Sequence, residues 1–142
     1  MSKESIITCA CVFGGFIASL FGGWDGAMTT LLIFMAVDYI TGIIVAGVFK
    51  NSRKTENGAL ESRAGFKGLC RKGVILLVVL VAYRLDLVMN TSFLKNTVVV
   101  SFILNETLSI AENVGLMGLK WPEPLANAIE VLTKISKGDM KK

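Results

Sequence analysis

Long uncharged runs are the main hydrophobic feature of this chain, and they predict membrane-crossing helices. The first run covers residues 5–24 and contains 20 residues without a charge. A hydrocarbon core of ~30 Å requires about 20 residues at a rise of ~1.5 Å each, so this run is long enough for one crossing. The second run, residues 27–49, has a single charge, Asp38, near its centre. Turn residues at 22–26 separate the two runs, which predicts an antiparallel helical hairpin.

The first run has a competing interpretation as a cleaved signal peptide. Its N-terminal region offers only Lys3 beside Glu4, and no small-residue cleavage site precedes the next apolar run. A secretory signal has a more positive start and such a cleavage site. We therefore expect the first run to remain as an uncleaved span.

Two further apolar runs complete the predicted membrane domain. The third covers residues 73–89 and carries Arg84 and Asp86 in its second half. The fourth covers residues 97–119 and becomes polar on one side after its first two turns. The pattern predicts an all-α membrane protein in which residues 1–120 form a domain of four transmembrane helices.

The segment between the second and third runs, residues 50–72, concentrates positive charge. Its seven cations and two acids give a net +5, which exceeds the +4 of the whole chain. Short loops rich in lysine and arginine stay on the cytoplasmic side, so this loop predicts that both termini are inside the cell. Nucleic-acid binding is disfavoured because interleaved aromatic residues are nearly absent and the loop lies between two spans. The topology-setting cations are Lys50, Arg53, Lys54, Arg63, Lys67, Arg71 and Lys72.

Residues 121–142 are predicted to form a separate cytoplasmic segment with a basic tail. After Pro122 and Pro124, apolar residues recur at helical spacing, which predicts a short amphipathic helix. This helix lies on the inner leaflet or packs against a neighbouring subunit, and the sequence leaves both alternatives open. Its apolar positions are Leu125, Ala128, Ile129, Leu132 and Ile135.

Three charges fall near the middle of predicted spans: Asp38, Arg84 and Glu106. A charged side chain at the centre of a bilayer costs roughly 2.5 to 3.5 kcal/mol on insertion scales, so such residues face protein or water and are functional by default. One interpretation is structural, with Asp38 and Glu106 on either side of Arg84 in a closed ion cluster. The other interpretation gives them a role in a pore or an oligomer interface.

The fourth run has a polar stripe that is too long for one arginine to satisfy. At about 100° per residue its polar side chains fall within roughly 140° of arc, over about three turns. Water or an identical face on a neighbour is then required, which predicts a homo-oligomer in the lipid bilayer. The predicted pore-lining or oligomer-interface residues are Asp38, Thr41, Gly42, Arg84, Asp86, Ser101, Asn105, Glu106, Ser109, Glu112 and Asn113.

Composition argues against an enzyme. Only 18% of residues are charged and the mean hydropathy is +0.62, whereas soluble domains have roughly a quarter charged residues. No histidine is present to act as a general base, and the three cysteines do not have the spacing of a disulfide framework or a zinc site. We expect no enzymatic activity, no cofactor and no metal.

The order and spacing of the polar landmarks resemble those of the phage lysis holins, a family that also includes toxin-secretion holins of clostridia. The resemblance covers residues 38–125. Its motifs are Asp38, Tyr39, Thr41 and Gly42; then Ser62, Gly65, Phe66, Gly68, Arg71 and Lys72; then Asp86; and finally Asn105, Glu106, Ser109, Ile110, Glu112, Asn113, Gly115, Gly118, Leu119 and Pro122.

The resemblance implies a small multi-pass protein of the bacterial cytoplasmic membrane. Such a protein accumulates harmlessly and then assembles into lesions through which an endolysin, or in some relatives a toxin, leaves the cell. Two other classes remain as alternatives from the residues alone. One is a small proton-coupled transporter with carboxylates at mid-membrane, and the other is a structural membrane scaffold whose amphipathic tail recruits a partner.

Overall fold

The computed structural model describes residues 1–138, and within these residues the protein is all-α, as predicted. The end of the predicted basic tail, residues 139–142, lies outside the described residues. The helices in chain order are α1 (Lys3–Leu20), α2 (Gly26–Gly47), α3 (Ser62–Met89), α4 (Leu94–Leu116) and α5 (Glu123–Ser136).

Two of the five helices, α1 and α2, have the length and composition of membrane spans. α3 and α4 are long enough but more polar: charged residues lie at both ends of the apolar segment of α3, and α4 carries the polar stripe. By length and composition, two helices therefore qualify as membrane spans, whereas the sequence pattern predicted four.

The N-terminus of α3 is the main difference from the predicted boundaries. α3 begins at Ser62, so Arg63, Lys67, Arg71 and Lys72 are helical and do not belong to a loop. The predicted boundary was placed at the last of the positive charges, whereas a helix continues through charged residues as long as they are compatible with it. Arginine, lysine, leucine and alanine in this segment are good helix formers.

The helices pack around α4. α2 lies along α4 over much of its length, α3 contacts α4 less extensively, and α2 and α3 touch each other only briefly. An apolar core fills one half of this three-helix unit, with Met28 and Leu31 of α2, Val79 of α3 and Val99 of α4 almost completely buried.

α1 stands apart from this unit and buries none of its residues. Only its last turns approach the core, through Ile17, Leu20 and the following Phe21. Gly22 adopts a φ of +77°, and a Cβ there would overlap the ring of Tyr83, so glycine is required for the close approach of this turn to α3.

Large apolar side chains are exposed on the outer faces of the helices. Phe13 and Phe16 of α1, Ile33 and Ile40 of α2, and Leu77 of α3 are all more than half exposed. A contiguous apolar exterior of this kind is unfavourable in water and matches the hydrocarbon of a bilayer.

Candidate functional site

A buried ion cluster joins the three packed helices. The ammonium Nζ of Lys72 on α3 lies 2.7 Å from Oδ2 of Asp38 on α2 and 2.5 Å from Oε2 of Glu106 on α4. The side chains of Lys72, Asp38 and Glu106 are only 13%, 7% and 4% exposed, respectively. Such a cluster is stable only when each charge has a partner, because an unpaired charge inside the bundle loses its hydration without compensation.

The carboxylate of Asp38 has two further donors, both from α4. Ser109 Oγ donates to Asp38 Oδ1 at 2.5 Å, and Asn113 Nδ2 lies 3.1 Å from the same oxygen. Asn113 Nδ2 also lies 2.9 Å from Oγ1 of Thr41. Gly42 packs beside this amide, since a Cβ on Gly42 would be 3.7 Å from it. These contacts attach α2 to α4 one to two turns beyond the ion cluster. We call the set Asp38, Thr41, Lys72, Glu106, Ser109 and Asn113 the polar latch.

Arg84 is not part of this ion cluster, in which one of the two interpretations of the three mid-span charges placed it. Arg84 is exposed and forms no ion pair within residues 1–138. Lys72 lies twelve residues earlier and about 120° away around α3, on the face that also buries Ile75 and Val79. Helical spacing from Ile75 and Val79 places Lys72 on the same buried face and would have identified it. Lys72 was assigned to the loop because it stands in a run of cations.

The polar stripe of α4 divides into two parts. Glu106, Ser109 and Asn113 point inward and belong to the polar latch. Ser101, Asn105 and Glu112 are exposed, and Glu112 is 3.2 Å from Arg53 of the α2–α3 loop. We call Ser101, Asn105 and Glu112 the outer polar face of α4. Ser101 donates to the carbonyl of Thr97 at 2.8 Å, so within residues 1–138 Asn105 is the one member of this face whose side chain has no hydrogen-bond partner.

A cleft of about 360 Å³ reaches the polar latch from the side of the α2–α3 loop. Asp38, Lys72, Glu106 and Ser109 form its polar end, and small residues such as Gly42 and Gly68 contribute to its walls. The hydroxyl of Tyr39 donates to the Gly65 carbonyl at 3.3 Å between α2 and α3. A polar cleft of this size has room for several water molecules, so the ion cluster is not sealed on this side.

A second buried polar cluster lies at the opposite end of α3. Asp86 accepts hydrogen bonds from the Thr91 hydroxyl at 2.6 Å and from the backbone N–H groups of Leu94 and Lys95 at 3.0 and 2.9 Å. It therefore caps the N-terminus of α4 from the preceding helix. The oxygens of Asp86 thus bond within their own subunit, and the place of Asp86 at a pore or an oligomer interface stays a prediction.

Lys95 is a functional residue of the fold that sequence reasoning missed. Its buried ammonium donates to the carbonyls of Phe21 and Gly23 at 2.5 and 3.3 Å, and it lies 5.5 Å from the centre of the Tyr83 ring. It thereby fixes the end of α1 against α3 and α4. The sequence signal was weak, because a single lysine in the connection between the third and fourth apolar runs is ordinarily solvated.

The remaining predicted cations are all exposed. Lys50, Arg53 and Lys54 lie in the loop, whereas Arg63, Lys67 and Arg71 follow one face of α3. Among these six, Arg53 alone forms an ion pair within residues 1–138.

Apolar helix exteriors, a buried ion cluster and a half-exposed polar stripe together define a small helical membrane protein. The comparisons with known proteins agree with this class. A sequence profile described as the bacteriophage holin family matches residues 15–134. The chain belongs to this family, whose members are membrane proteins without enzymatic activity.

The relatives include proteins of bacteria and of a phage. A Listeria monocytogenes protein of uncharacterised function is 35% identical over 92% of this chain and 88% of its own. An uncharacterised 14.9 kDa protein of Clostridium perfringens is 40% identical over 80% of this chain and 81% of its own. A probable holin of Bacillus phage phi105 is 35% identical over 72% of this chain and 70% of its own. No solved structure matches the chain.

Proposed function

We propose that this protein is a holin that oligomerises in the bacterial cytoplasmic membrane and forms lesions that release an endolysin or a toxin. In this proposal α1 to α4 all cross the membrane, both termini are cytoplasmic, and α5 lies on the cytoplasmic side. The observation that carries the proposal is the outer polar face of α4, which its own subunit leaves uncovered.

The polar latch represents the resting state. With Lys72 held between Asp38 and Glu106, three charges are paired inside one subunit and do not meet lipid. Glu106 has Lys72 as its one donor within residues 1–138, whereas Asp38 also has Ser109 and Asn113. The α3–α4 side of the latch is therefore the weaker one and opens first.

The outer polar face of α4 provides the contact between subunits. A carboxamide or hydroxyl facing hydrocarbon without a partner costs several kcal/mol on transfer scales, roughly 4 to 8. Asn105, whose amide has no partner within residues 1–138, avoids this cost by pairing with the same face of a second copy, and Ser101 lies one turn away on that face. In the lesion, many copies turn these faces, and then the opened latch residues, towards water.

Both arrangements satisfy the polar groups, so the free-energy difference between them is small enough to be switched. A charge that crosses the full membrane field contributes about 2.3 kcal/mol per 100 mV. In this proposal a loss of membrane potential shifts the balance between the resting and assembled states in proportion to the latch charge that moves across the field.

The first prediction concerns Asn105→Leu. Replacing the amide by an apolar group removes a self-complementary contact and favours lipid exposure, so lysis should be delayed or abolished while membrane insertion is retained. Lysis timing is measured by culture density after induction with the endolysin, and insertion by membrane fractionation. Thr107→Val is the matched control, since Thr107 bonds only to the carbonyl of Ile103 in its own helix. Normal lysis timing for Asn105→Leu would contradict the proposed role of this face.

Dye release from vesicles separates the proposed function from its alternatives. A lesion-forming protein releases large dextrans, whereas a proton-coupled transporter moves protons without releasing dextran and a scaffold does neither. The cleft at the ion cluster is the observation that favours a transporter, because an open cleft lined by Tyr39 reaches two carboxylates. Proton flux without dextran release would therefore replace the holin proposal.

A further inference from the structure

The exposed cations of α3 form a continuous ridge. Arg63, Lys67 and Arg71 recur every four residues, so their side chains share one helix face with a drift of about 40° per step. Lys54 of the α2–α3 loop joins them around an open groove of about 150 Å³. Glu61 is the one acid that lines this groove. We call these four cations and their groove the basic groove.

None of the four cations is neutralised by an ion pair within residues 1–138. The groove also begins at the N-terminus of α3, where Glu61 provides no side-chain cap. The partial positive charge of the helix end adds to the potential of the side chains and favours an anion. The groove therefore has unbalanced positive charge concentrated on a few residues.

The neighbouring face of α3 is apolar and exposed. Phe66 is 68% exposed and Leu69 55%, whereas the exposed Val74 lies about 80° around the helix from Phe66, on the face of the cations and just beyond Arg71. At about 1.5 Å per residue α3 is about 42 Å long, which exceeds the ~30 Å of hydrocarbon. Because its apolar segment begins at Gly73, the preceding turns lie at the level of the lipid headgroups.

We infer that the basic groove binds the phosphate of an anionic phospholipid of the inner leaflet, with Phe66 beside the headgroup and the acyl chains extending past Val74. Arginine is suited to a phosphate because its fork of N–H groups binds two oxygens at once, and basic clusters beside membrane helices bind anionic headgroups. The inference rests on the proposed membrane placement of α3. It assigns to four of the topology-setting cations a binding role that Lys72, which points into the latch, does not share.

Native mass spectrometry of the detergent-solubilised full chain tests this site. The protein is incubated with an equimolar mixture of phosphatidylglycerol and phosphatidylcholine, and the retained lipids are counted. The wild type should retain phosphatidylglycerol selectively. The variant Arg63→Gln/Lys67→Gln/Arg71→Gln should bind it roughly 100-fold more weakly, since each cation near an anionic headgroup contributes about fivefold in affinity.

The matched control removes three cations elsewhere, as Lys120→Gln/Lys134→Gln/Lys137→Gln. It should retain the lipid nearly as well as the wild type, and an equal loss in both variants would overturn the inference because the binding would depend on net charge alone. A second variant, Arg63→Lys/Arg71→Lys, keeps the charge and should keep most of the binding. A loss as large as that of the glutamine variant would also count against a phosphate site.

Two further measurements distinguish the lipid site from a site for soluble phosphate and from the proposed holin function. Inorganic phosphate at the concentration of the lipid should not displace phosphatidylglycerol, and displacement would show a site for soluble phosphate instead. Dextran release is measured on the same protein in vesicles. Selective lipid binding without dextran release would contradict the proposed holin function alone, whereas dextran release without lipid selectivity would contradict the lipid site alone.

Discussion

At the scale of single residues, Lys72 allows two carboxylates to be buried inside the bundle. Its ammonium contacts both Asp38 and Glu106, so its removal leaves two carboxylates close together with no cation between them. Removing one partner of a buried ion pair costs about 3 kcal/mol or more. The cleft lowers this cost because it admits water to the cluster.

Lys72→Met should therefore lower the free energy of unfolding by about 3 kcal/mol, measured by denaturant titration in detergent micelles. Arg84→Gln is the matched control, because Arg84 is an exposed cation on the same helix and its loss should change the free energy by less than about 0.5 kcal/mol. A larger effect for Arg84→Gln than for Lys72→Met would restore the sequence-based ion cluster around Arg84.

At the scale of elements, Asp86 couples the end of α3 to the start of α4. The residue at the N-cap position of α4, Phe93, offers no side-chain acceptor, and Asp86 provides one from the preceding helix. Helices leave their first backbone N–H groups without partners, so an acceptor at this point stabilises the helix start. Lys95 then connects the same helix start to the end of α1.

Asp86→Ala should loosen the first turn of α4 without unfolding the bundle. Amide exchange at Leu94 and Lys95 should become roughly fivefold to tenfold faster, as expected for the loss of a cap. Asp25→Ala provides the comparison, since Asp25 caps α2 through a single bond to the N–H of Met28. Exchange that stays unchanged at Leu94 and Lys95 would contradict the capping role.

At the scale of the whole molecule, the number of crossings is the property on which the proposed function depends. Four crossings put the α2–α3 loop and the α3–α4 turn on opposite sides of the membrane. Placing only α1 and α2 in the membrane would put both of these connections on the same side. The two arrangements differ in what a membrane-impermeant reagent reaches.

Single cysteines at Ser52 and Ser92 distinguish the two arrangements, after Cys9, Cys11 and Cys70 are replaced by serine or alanine. In intact spheroplasts an impermeant maleimide should label Ser92→Cys, whereas Ser52→Cys should react only after the membrane is permeabilised. This result follows from the cytoplasmic retention of the basic loop. Labelling of both positions under the same condition would overturn the four-span arrangement.

The sequence by itself determined that the chain is helical, where the helices lie apart from residues 62–72 of α3, and which residues carry polar chemistry in an apolar setting. Uncharged runs predicted α1 and α2 closely, and apolar periodicity predicted α5. These features are local: they depend on helical period, side-chain polarity and the length of an apolar run, all of which can be read from neighbouring positions. The polar stripe of α4 was visible for the same reason.

Only the tertiary structure decided which polar groups satisfy one another. Lys72 and not Arg84 meets the carboxylates, Asp86 caps a helix, and the stripe of α4 is divided between an internal latch and an exposed face. Partner choice depends on the rotation and height of each helix against its neighbours, which are set by the packing of residues such as Leu31, Val79 and Val99. The ion-pair partner of a cation is therefore determined by the helix packing and cannot be read from its neighbours in the sequence.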